Sequence, residues 1–296
     1  MDWDKLRIFH AVAEAGSFTH AGEELNLSQS AVSRQISALE DSLKVPLFHR
    51  HARGLLLTEQ GELLYRTAHE VFAKLAITEA MLTDSKDSPR GELRVTTTVT
   101  FGMMWLTPLL KEIHELYPEI QLRLILDDEE LDLGMREADI AIRFRAPVQP
   151  DLVQRRLMPV AYNLYGSADY LARRGTPVTL ADLDGHDLLV YGEEAPQPIS
   201  GVNWLLEAGR DGKGPRTPVM SVNNIYALSL AAGAGMGIAA LPDYVARGNP
   251  TLVQVLPDLG GPTFQTYFVY PEELRDTKRI AVFRDFLVRK VSETAA

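Results

Sequence analysis

The stretch from Ser28 to Leu43, SQSAVSRQISALEDSL, constrains the fold of this chain more than any other. Its apolar residues recur at spacings of four, three and four, which predicts one helix with a single buried stripe. The opposite face carries short polar side chains and one guanidinium, and such a face suits the edges of DNA bases. The apolar residues are Val32, Ile36, Leu39 and Leu43, and the polar ones are Gln29, Ser30, Ser33, Arg34 and Ser37.

A shorter helical pattern ends just before this stretch, after a cap at Ser17 or Thr19. The residues Asn26 to Ser28 form a tight turn in which Ser28 caps the next helix. Two helices joined by so few residues predict a helix-turn-helix, whose second helix enters the major groove. The alternative is a solvated amphipathic helix with no partner, and the flanking sequence has to decide between the two.

The segment from Ser42 to Thr58 contains no acidic residue but several cations around two short apolar runs. This pattern predicts a two-stranded wing that turns at Arg53-Gly54, with cations placed for phosphates. Arg50 and Arg53 are the predicted phosphate contacts. The full set of predicted DNA-binding residues is Ser17, Thr19, Ser28, Gln29, Ser30, Ser33, Arg34, Ser37, Arg50 and Arg53.

Several short motifs recur through the first 61 residues. They are Phe9-x-x-Val12-x-Glu14-x-Gly16-Ser17-Phe18-Thr19, Leu27 to Ile36 (LSQSAVSRQI), Leu39-Glu40, Leu47-Phe48-x-Arg50-x-x-Arg53 and Leu57-Thr58-x-x-Gly61. Together these motifs resemble the DNA-binding domain of the LysR-type transcriptional regulators. One departure is Gly22, where that family usually has alanine; a glycine inside a helix costs about 1 kcal/mol of stability.

Length and composition narrow the class of protein. A chain of 296 residues is long enough for two or three domains. It has no cysteine, and its seven histidines show no ligand spacing such as His-x-x-x-His, so we predict no metal site and no cofactor. The charged start and the lack of a long apolar run predict a cytoplasmic protein. The net charge of −10 is compatible with DNA binding because the wing itself is basic.

The stretch from Glu59 to about Thr83 contains no proline and carries a heptad pattern of apolar or small residues. We expect that a 58-residue domain cannot bury a seam of this length, which predicts pairing with a second copy as a dimer or tetramer. The alternative is that the helix packs on its own chain. The seam positions are Leu57, Gly61, Leu64, Ala68, Val71, Leu75, Thr78 and Leu82.

Strand and helix patterns alternate after a polar, helix-breaking hinge. Strands at Leu93–Thr98, Gln121–Leu126 and Ala138–Arg143, with helices at 103–117 and 129–136 between them, predict a βαβαβ unit with a parallel sheet. A second α/β set follows. It has strands near 161–165, 188–191, 219–222 and 237–241, helices near 168–174, 202–208 and 224–233, a returning strand at 265–269 and a final helix at 276–292.

Two α/β halves in series resemble the two-lobed periplasmic-binding-protein fold (type 2) that forms the effector domain of LysR-type regulators. The predicted fold class is therefore α/β, with an N-terminal winged helix-turn-helix rich in α structure. The predicted domains are a winged helix-turn-helix at 1–58, a linker and dimerisation helix at 59–86, a hinge at 87–91 and an effector-binding domain at 92–296. Within the last, lobe I is 92–161 with 266–296 and lobe II is 162–265.

In two-lobed folds the ligand lies between the lobes, where strand ends and helix N-termini supply hydrogen-bond donors. Hydroxyls, amides and two arginines favour an anionic or carboxylated small molecule. Each position also has a structural alternative, such as pairing of Arg143 with Asp127 or Asp128. The predicted effector-binding residues are Thr97, Thr98, Thr100, Phe101, Arg143, Arg145, Ser200, Gly201, Asn223 and Asn224.

Catalytic patterns are scarce. The run Gly235-Met236-Gly237 has the spacing of a dinucleotide loop, but a helix precedes it and a strand follows, which is the reverse of the required order. No Gly-x-Ser-x-Gly elbow occurs, and Asp127 to Glu130 is read as a solvated turn. The resemblance implies a regulator that binds double-stranded promoter DNA and a small-molecule effector, with RNA polymerase as a further partner. The two rivals are a ligand-binding module with a vestigial DNA domain and an α/β enzyme.

Overall fold

The computed structural model describes residues 2–51, 54–83, 88–147, 149, 151–192, 196–210 and 212–295. The described residues form two compact units, Met1–Thr83 with Gly134–Arg136 and Asp84–Leu133 with Glu137–Ala296. Across these ranges, no helix combines the length and the apolar character that crossing a membrane requires.

The first unit is a three-helix cluster followed by a hairpin and a long helix. Asp2, Ser17 and Ser28 cap the first three helices with their side chains, as expected for N-cap residues. The core includes Leu6 and Phe9 together with the predicted apolar stripe of the third helix. The elements are α1 (Trp3–Ala15), α2 (Phe18–Leu25), α3 (Gln29–Leu43), β1 (Phe48–His51), β2 (Gly54–Leu57) and α4 (Glu59–Thr83). The helix-turn-helix and its two-stranded antiparallel wing are thus confirmed.

The heptad seam of α4 has two different environments. Gly61 and Ala68 are buried inside this unit, and Leu64 packs partly against the same core. A Cβ at Gly61 would lie 2.1 Å from the backbone oxygen of Leu47, so the first turn of α4 approaches the wing too closely for any other residue. The expectation that this domain cannot bury the seam is therefore wrong for its first half.

Lobe I of the second unit is built on a parallel sheet. The strand β3 (Gly91–Thr97) pairs in parallel with both β4 (Ile120–Leu126) and β5 (Ile140–Arg143), as predicted. Between β3 and β4 the chain is helical but irregular. It passes through α5 (Val99–Phe101), a π-helical turn (Gly102–Leu106), a 3₁₀ turn (Thr107–Leu109) and α6 (Leu110–Leu116).

Two long antiparallel strands join the lobes. The 16-residue β6 (Leu152–Ser167) and the 9-residue β11 (Thr263–Pro271) pair with each other, and β11 also pairs with β5. In lobe II, β6 continues by pairing with β9 (Ile238–Pro242) and β10 (Leu252–Val255). Lobe II also contains α7 (Ala168–Arg174), β7 (Leu188–Tyr191), β8 (Met220–Val222), α8 (Ile225–Gly233) and α9 (Asp243–Arg247), and α10 (Lys278–Ala295) ends the chain.

Two predicted helices are wrong. Residues 129–136 form turns, because Asp127 accepts the backbone N–H of Glu129 and the Arg143 guanidinium donates to the carbonyl of Leu131. Side chains that satisfy backbone groups in this way compete with a helix. Residues 202–208 shrink to a 3₁₀ turn, Trp204–Leu206, since Arg216 donates to the carbonyls of this segment. The predictions missed α9, β10 and the first half of β6.

Candidate DNA interface and effector cleft

Helix α3 presents one polar face to solvent. Gln29, Ser30 and Arg34 are exposed, and Ser33 and Ser37 are partly exposed. The apolar stripe on the other side is 0% exposed at Val32, Ile36 and Leu39, which fixes the rotation of the helix in its unit. This face therefore has the short donors and acceptors and the single guanidinium that base edges in a major groove can pair with.

The serines around the turn have structural roles as well. The Ser17 hydroxyl accepts a hydrogen bond from the N–H of Thr19 at 3.2 Å. The Ser28 hydroxyl accepts one from the N–H of Ala31 at 3.2 Å and lies 3.1 Å from the Ser30 hydroxyl. Thr19 is exposed. Phosphate contacts by Ser17 and Ser28 would therefore come from hydroxyls that the helix caps already orient.

The wing follows α3 directly. Its strands pair from Phe48 with Leu57 to His51 with Gly54. Arg50 lies on β1, opposite Leu55, and its side chain is outside the described part of the structure, as is all of Arg53. The pairing of the two strands is thus established, whereas phosphate contacts by Arg50 and Arg53 stay a prediction.

Sequence reasoning missed the residue that joins α3 to the wing. Glu40 is partly buried near the end of α3, and its Oε1 accepts hydrogen bonds from the N–H groups of Leu47 at 2.7 Å and Phe48 at 3.2 Å. A carboxylate that accepts two backbone N–H groups is a strong, charge-assisted link. The sequence alone does not distinguish Glu40 from its exposed neighbour Asp41.

The second unit contains a narrow cleft at the carboxyl ends of β3 and β5. Because these strands are parallel and neighbouring, their ends meet at one edge, where ligands of open α/β sheets bind. Lobe II contributes Gln197 and Pro198. Lobe I contributes Thr96, Thr97, Thr98, Asp127, Asp128, Glu129, Glu130, Leu131, Ala141, Ile142, Arg143, Phe144 and Arg145.

Four predicted effector residues, Thr97, Thr98, Arg143 and Arg145, line this cleft. The two arginines share one acid: Arg145 Nε lies 2.6 Å from Glu130 Oε1, and Arg143 Nη1 lies 3.7 Å from Glu130 Oε2. Arg143 also donates to the carbonyl of Leu131 at 2.6 Å. The suggested partner for Arg143, Asp127 or Asp128, was thus wrong, and the acid that balances both guanidinium groups is Glu130.

Asp128 forms a direct bond between the lobes. Its Oδ1 accepts the N–H of Val99 at 3.0 Å, and its Oδ2 accepts the hydroxyl of Tyr191, on β7 of lobe II, at 3.1 Å. Burial raises the pKa of the Asp128 carboxyl, and the hydrogen bonds from Val99 and Tyr191 oppose that rise. The interpretation of residues 127–130 as a solvated turn therefore missed the contacts that Asp128 and Glu130 make in the cleft.

The other six predicted effector residues are absent from the described lining of this cleft. Thr100 is 4% exposed, and Phe101, at 0%, stacks on Trp105 in the core. Asn224 caps α8 by accepting the N–H of Ala227 at 2.9 Å. Gly201 lines a separate depression on lobe II, and Ser200, Gly201 and Asn223 are exposed. Sequence reasoning could have found the acids, because residues 127–130 follow β4 at the same sheet edge.

Two family models match the chain. The model described as "Bacterial regulatory helix-turn-helix protein, lysR family" matches residues 3–62, and the "LysR substrate binding domain" matches residues 86–292. The first therefore covers the candidate DNA interface and the second covers the cleft.

Individual proteins are similar over nearly the whole chain. An HTH-type transcriptional regulator of Xanthomonas campestris pv. campestris is 32% identical over 98% of this chain and 86% of its own length. The regulator CrgA of Neisseria meningitidis is 30% identical over 97% of this chain and 96% of its own. The solved structure of CrgA, a LysR-type regulator, aligns with a TM-score of 0.62 over 98% of this chain and 99% of that one. The structure of AphB, a virulence activator of Vibrio cholerae, aligns at 25% identity with a TM-score of 0.63, covering 98% and 99%.

Proposed function

This chain belongs to the LysR-type transcriptional regulators, and from that premise we propose which of its residues read DNA and which sense the effector. Regulators of this family bind promoter DNA through the helix-turn-helix, bind small-molecule effectors through the C-terminal domain and form oligomers; they are not enzymes. The observation that carries the assignment of the DNA interface is the exposed polar face of α3 directly after a capped turn.

We propose that α3 lies in the major groove with Gln29, Ser33 and Arg34 toward the bases. If Arg34 pairs with a guanine, Arg34→Ala costs about 1–3 kcal/mol on the operator and little on random DNA. Arg50→Ala and Arg53→Ala should weaken binding on every sequence and flatten its dependence on salt. Fluorescence anisotropy with operator and scrambled duplexes at several salt concentrations measures both effects. An equal loss on both duplexes for Arg34→Ala would show that this residue contacts phosphate only.

We further propose that the regulator is a homodimer or homotetramer that pairs through the second half of α4. The support is that Val71 and Leu75 are 38% and 48% exposed there, whereas the first half of the seam is buried in its own unit. Pairing of two copies places two recognition helices on one duplex. RNA polymerase is the proposed further partner, and the cytoplasm, where promoter DNA lies, is the proposed location.

The effector is proposed to bind in the cleft at the ends of β3 and β5. We propose that an anionic effector competes with Glu130 for Arg143 and Arg145, because that acid lies against one nitrogen of each guanidinium group. A ligand carboxylate would bridge the two arginines as Glu130 does, with one oxygen toward each guanidinium group. The effector class therefore depends on an exchange of one carboxylate for another.

This exchange predicts that Glu130→Gln strengthens the binding of small carboxylates. Acetate, succinate and benzoate serve as probes, and a thermal-shift titration of the full chain measures their binding. Glu129→Gln is the matched control, since it removes the same charge from the neighbouring position of the same cleft. A Glu130→Gln variant that responds to the carboxylates no better than Glu129→Gln would refute the exchange, while leaving the DNA-binding proposal untouched.

A further inference from the structure

Two histidines and one glutamate meet where α1 packs against α4 in the first unit. His10 and Glu14 lie one turn apart on α1, and His69 lies on α4. We propose that His10, Glu14 and His69 bind one divalent transition-metal ion of the zinc type and so tie α4 to α1. This site is independent of the DNA face of α3 and of the effector cleft.

The positions of the potential ligand atoms support this proposal. His10 Nε2 lies 2.7 Å from His69 Nδ1, and the Glu14 oxygens lie 3.5 Å from His10 Nδ1 and 3.6 Å from His69 Nδ1. One ligand atom from each of the three residues lies within 4.8 Å of the others. Ligand atoms about 2 Å from a tetrahedral zinc ion lie about 3.3 Å apart, so binding requires the two histidine rings to separate by about half an ångström from their hydrogen-bond distance.

The surroundings also fit a metal site. The centroid of the His10 ring lies 5.4 Å from that of Tyr65 and 5.1 Å from that of Phe72, so aromatic side chains line one side of the site. The side chain of Glu14 is 42% exposed, which leaves a path for an ion and a place for water as the fourth ligand.

The donor set selects the kind of ion. Two imidazoles and one carboxylate suit zinc, copper, nickel or cobalt rather than magnesium or calcium, which prefer oxygen ligands. The sequence did not reveal the site because His69 is remote from the pair His10 and Glu14 along the chain. An ion held by ligands on both helices stabilises the contact between the DNA-binding helices and the linker helix, because it binds only when α1 and α4 are packed.

Zinc chloride titrated into the full, tag-free chain after treatment with a chelator tests the proposal by isothermal calorimetry. We expect one equivalent of zinc per chain, and binding weakened more than about 10-fold in His10→Gln and in His69→Gln. His114→Gln, an exposed histidine of the other unit, is the matched control and should bind zinc as the wild type does. Zinc should also slow amide hydrogen exchange in peptides from α1 and α4 of the wild type, and not in His69→Gln.

A second measurement on the wild-type chain does not depend on variant folding. With one equivalent of copper(II) chloride, electron paramagnetic resonance should show two coordinated imidazole nitrogens. Zinc binding that is equal in the wild type, His10→Gln and His69→Gln would overturn the proposal. So would a copper spectrum with fewer than two nitrogens, because the two histidines would then form only a hydrogen-bonded pair.

Discussion

The contact between Glu40 and the wing predicts a specific loss of stability. One carboxylate oxygen accepts the N–H groups of both Leu47 and Phe48, where the chain enters β1. Glu40→Ala leaves these two donors without the carboxylate, next to side chains that are 1% and 6% exposed. The wing should therefore loosen while the buried stripe of α3 stays intact.

The magnitude follows from the type of bond. A hydrogen bond to a charged group contributes about 1.5–3 kcal/mol, and leaving a buried donor unsatisfied costs about 1–3 kcal/mol. Because Glu40 is only partly buried and water can reach one side, we expect Glu40→Ala to lower the free energy of unfolding of this unit by about 2 kcal/mol. Glu40→Gln keeps an acceptor oxygen without the charge and should lose about half as much.

The control has the same charge change. Asp41 is the exposed neighbour of Glu40 on α3, so Asp41→Ala removes one acid near the same DNA face without touching the wing. Its stability should change by less than about 0.5 kcal/mol. Both alanine variants reduce electrostatic repulsion of DNA equally, so any difference in operator affinity between them comes from the position of the wing.

Urea unfolding of the first unit can be followed through Trp3, which packs against Phe72. A background with Trp105→Phe and Trp204→Phe removes the other two of the three tryptophans, both in the second unit. Operator affinity by anisotropy is the second readout. If Glu40→Ala is as stable as Asp41→Ala and binds the operator as tightly, the wing does not depend on the carboxylate and the reasoning is refuted.

Three further predictions concern other parts of the chain. Gly61→Ala should destabilise the first unit by about 2–3 kcal/mol in the same assay, because its Cβ would lie 2.1 Å from a backbone oxygen. Gln60→Ala, at an exposed position, is the control and should not destabilise the unit. Equal stabilities of the two variants would contradict the close packing at Gly61. Asp128 has a raised pKa in the folded state, so its contribution to stability is present at acid pH and lost as pH rises through that pKa. Between pH 4 and 8 the free energy of unfolding of Asp128→Asn should therefore depend less on pH than that of the wild type. The same dependence on pH in both proteins would exclude a buried acid at this position. Leu75→Asp should dissociate the oligomer in sedimentation, and sedimentation like the wild type would show that α4 does not pair two copies.

The sequence predicted the first unit well because local rules determine it. Capping serines, a glycine-free recognition helix and strict apolar spacing all act within a few residues, and α1, α3 and α4 begin and end close to the predicted positions. The parallel strands β3, β4 and β5 were predicted for the same reason, since short apolar runs between turn signals have few alternatives.

Features that depend on distant residues were not predicted. The segment 129–136 has a helical pattern, but Arg143 and Glu137 satisfy its backbone groups from outside and hold it in turns. The pairing of Arg145 with Glu130 and the contact of His10 with His69 likewise depend on the packing of separate elements. Nothing in the local composition marks such contacts, because the residues involved lie far apart along the chain.

The pairing of β6 with β11 has a consequence for how such regulators can be recombined. Ala161, at the predicted end of the first part of lobe I, lies opposite Thr263, which is close to the predicted return of the chain at residue 266. The residues between them are thus an insertion whose two ends are neighbours in one ladder, an arrangement that tolerates replacement of the inserted part. A graft from a relative at these two positions would replace lobe II, including Gln197 and Pro198 of the proposed effector cleft. Lobe I and the recognition helix would keep their own sequence, so the recombined regulator would respond to a different effector at the same operator.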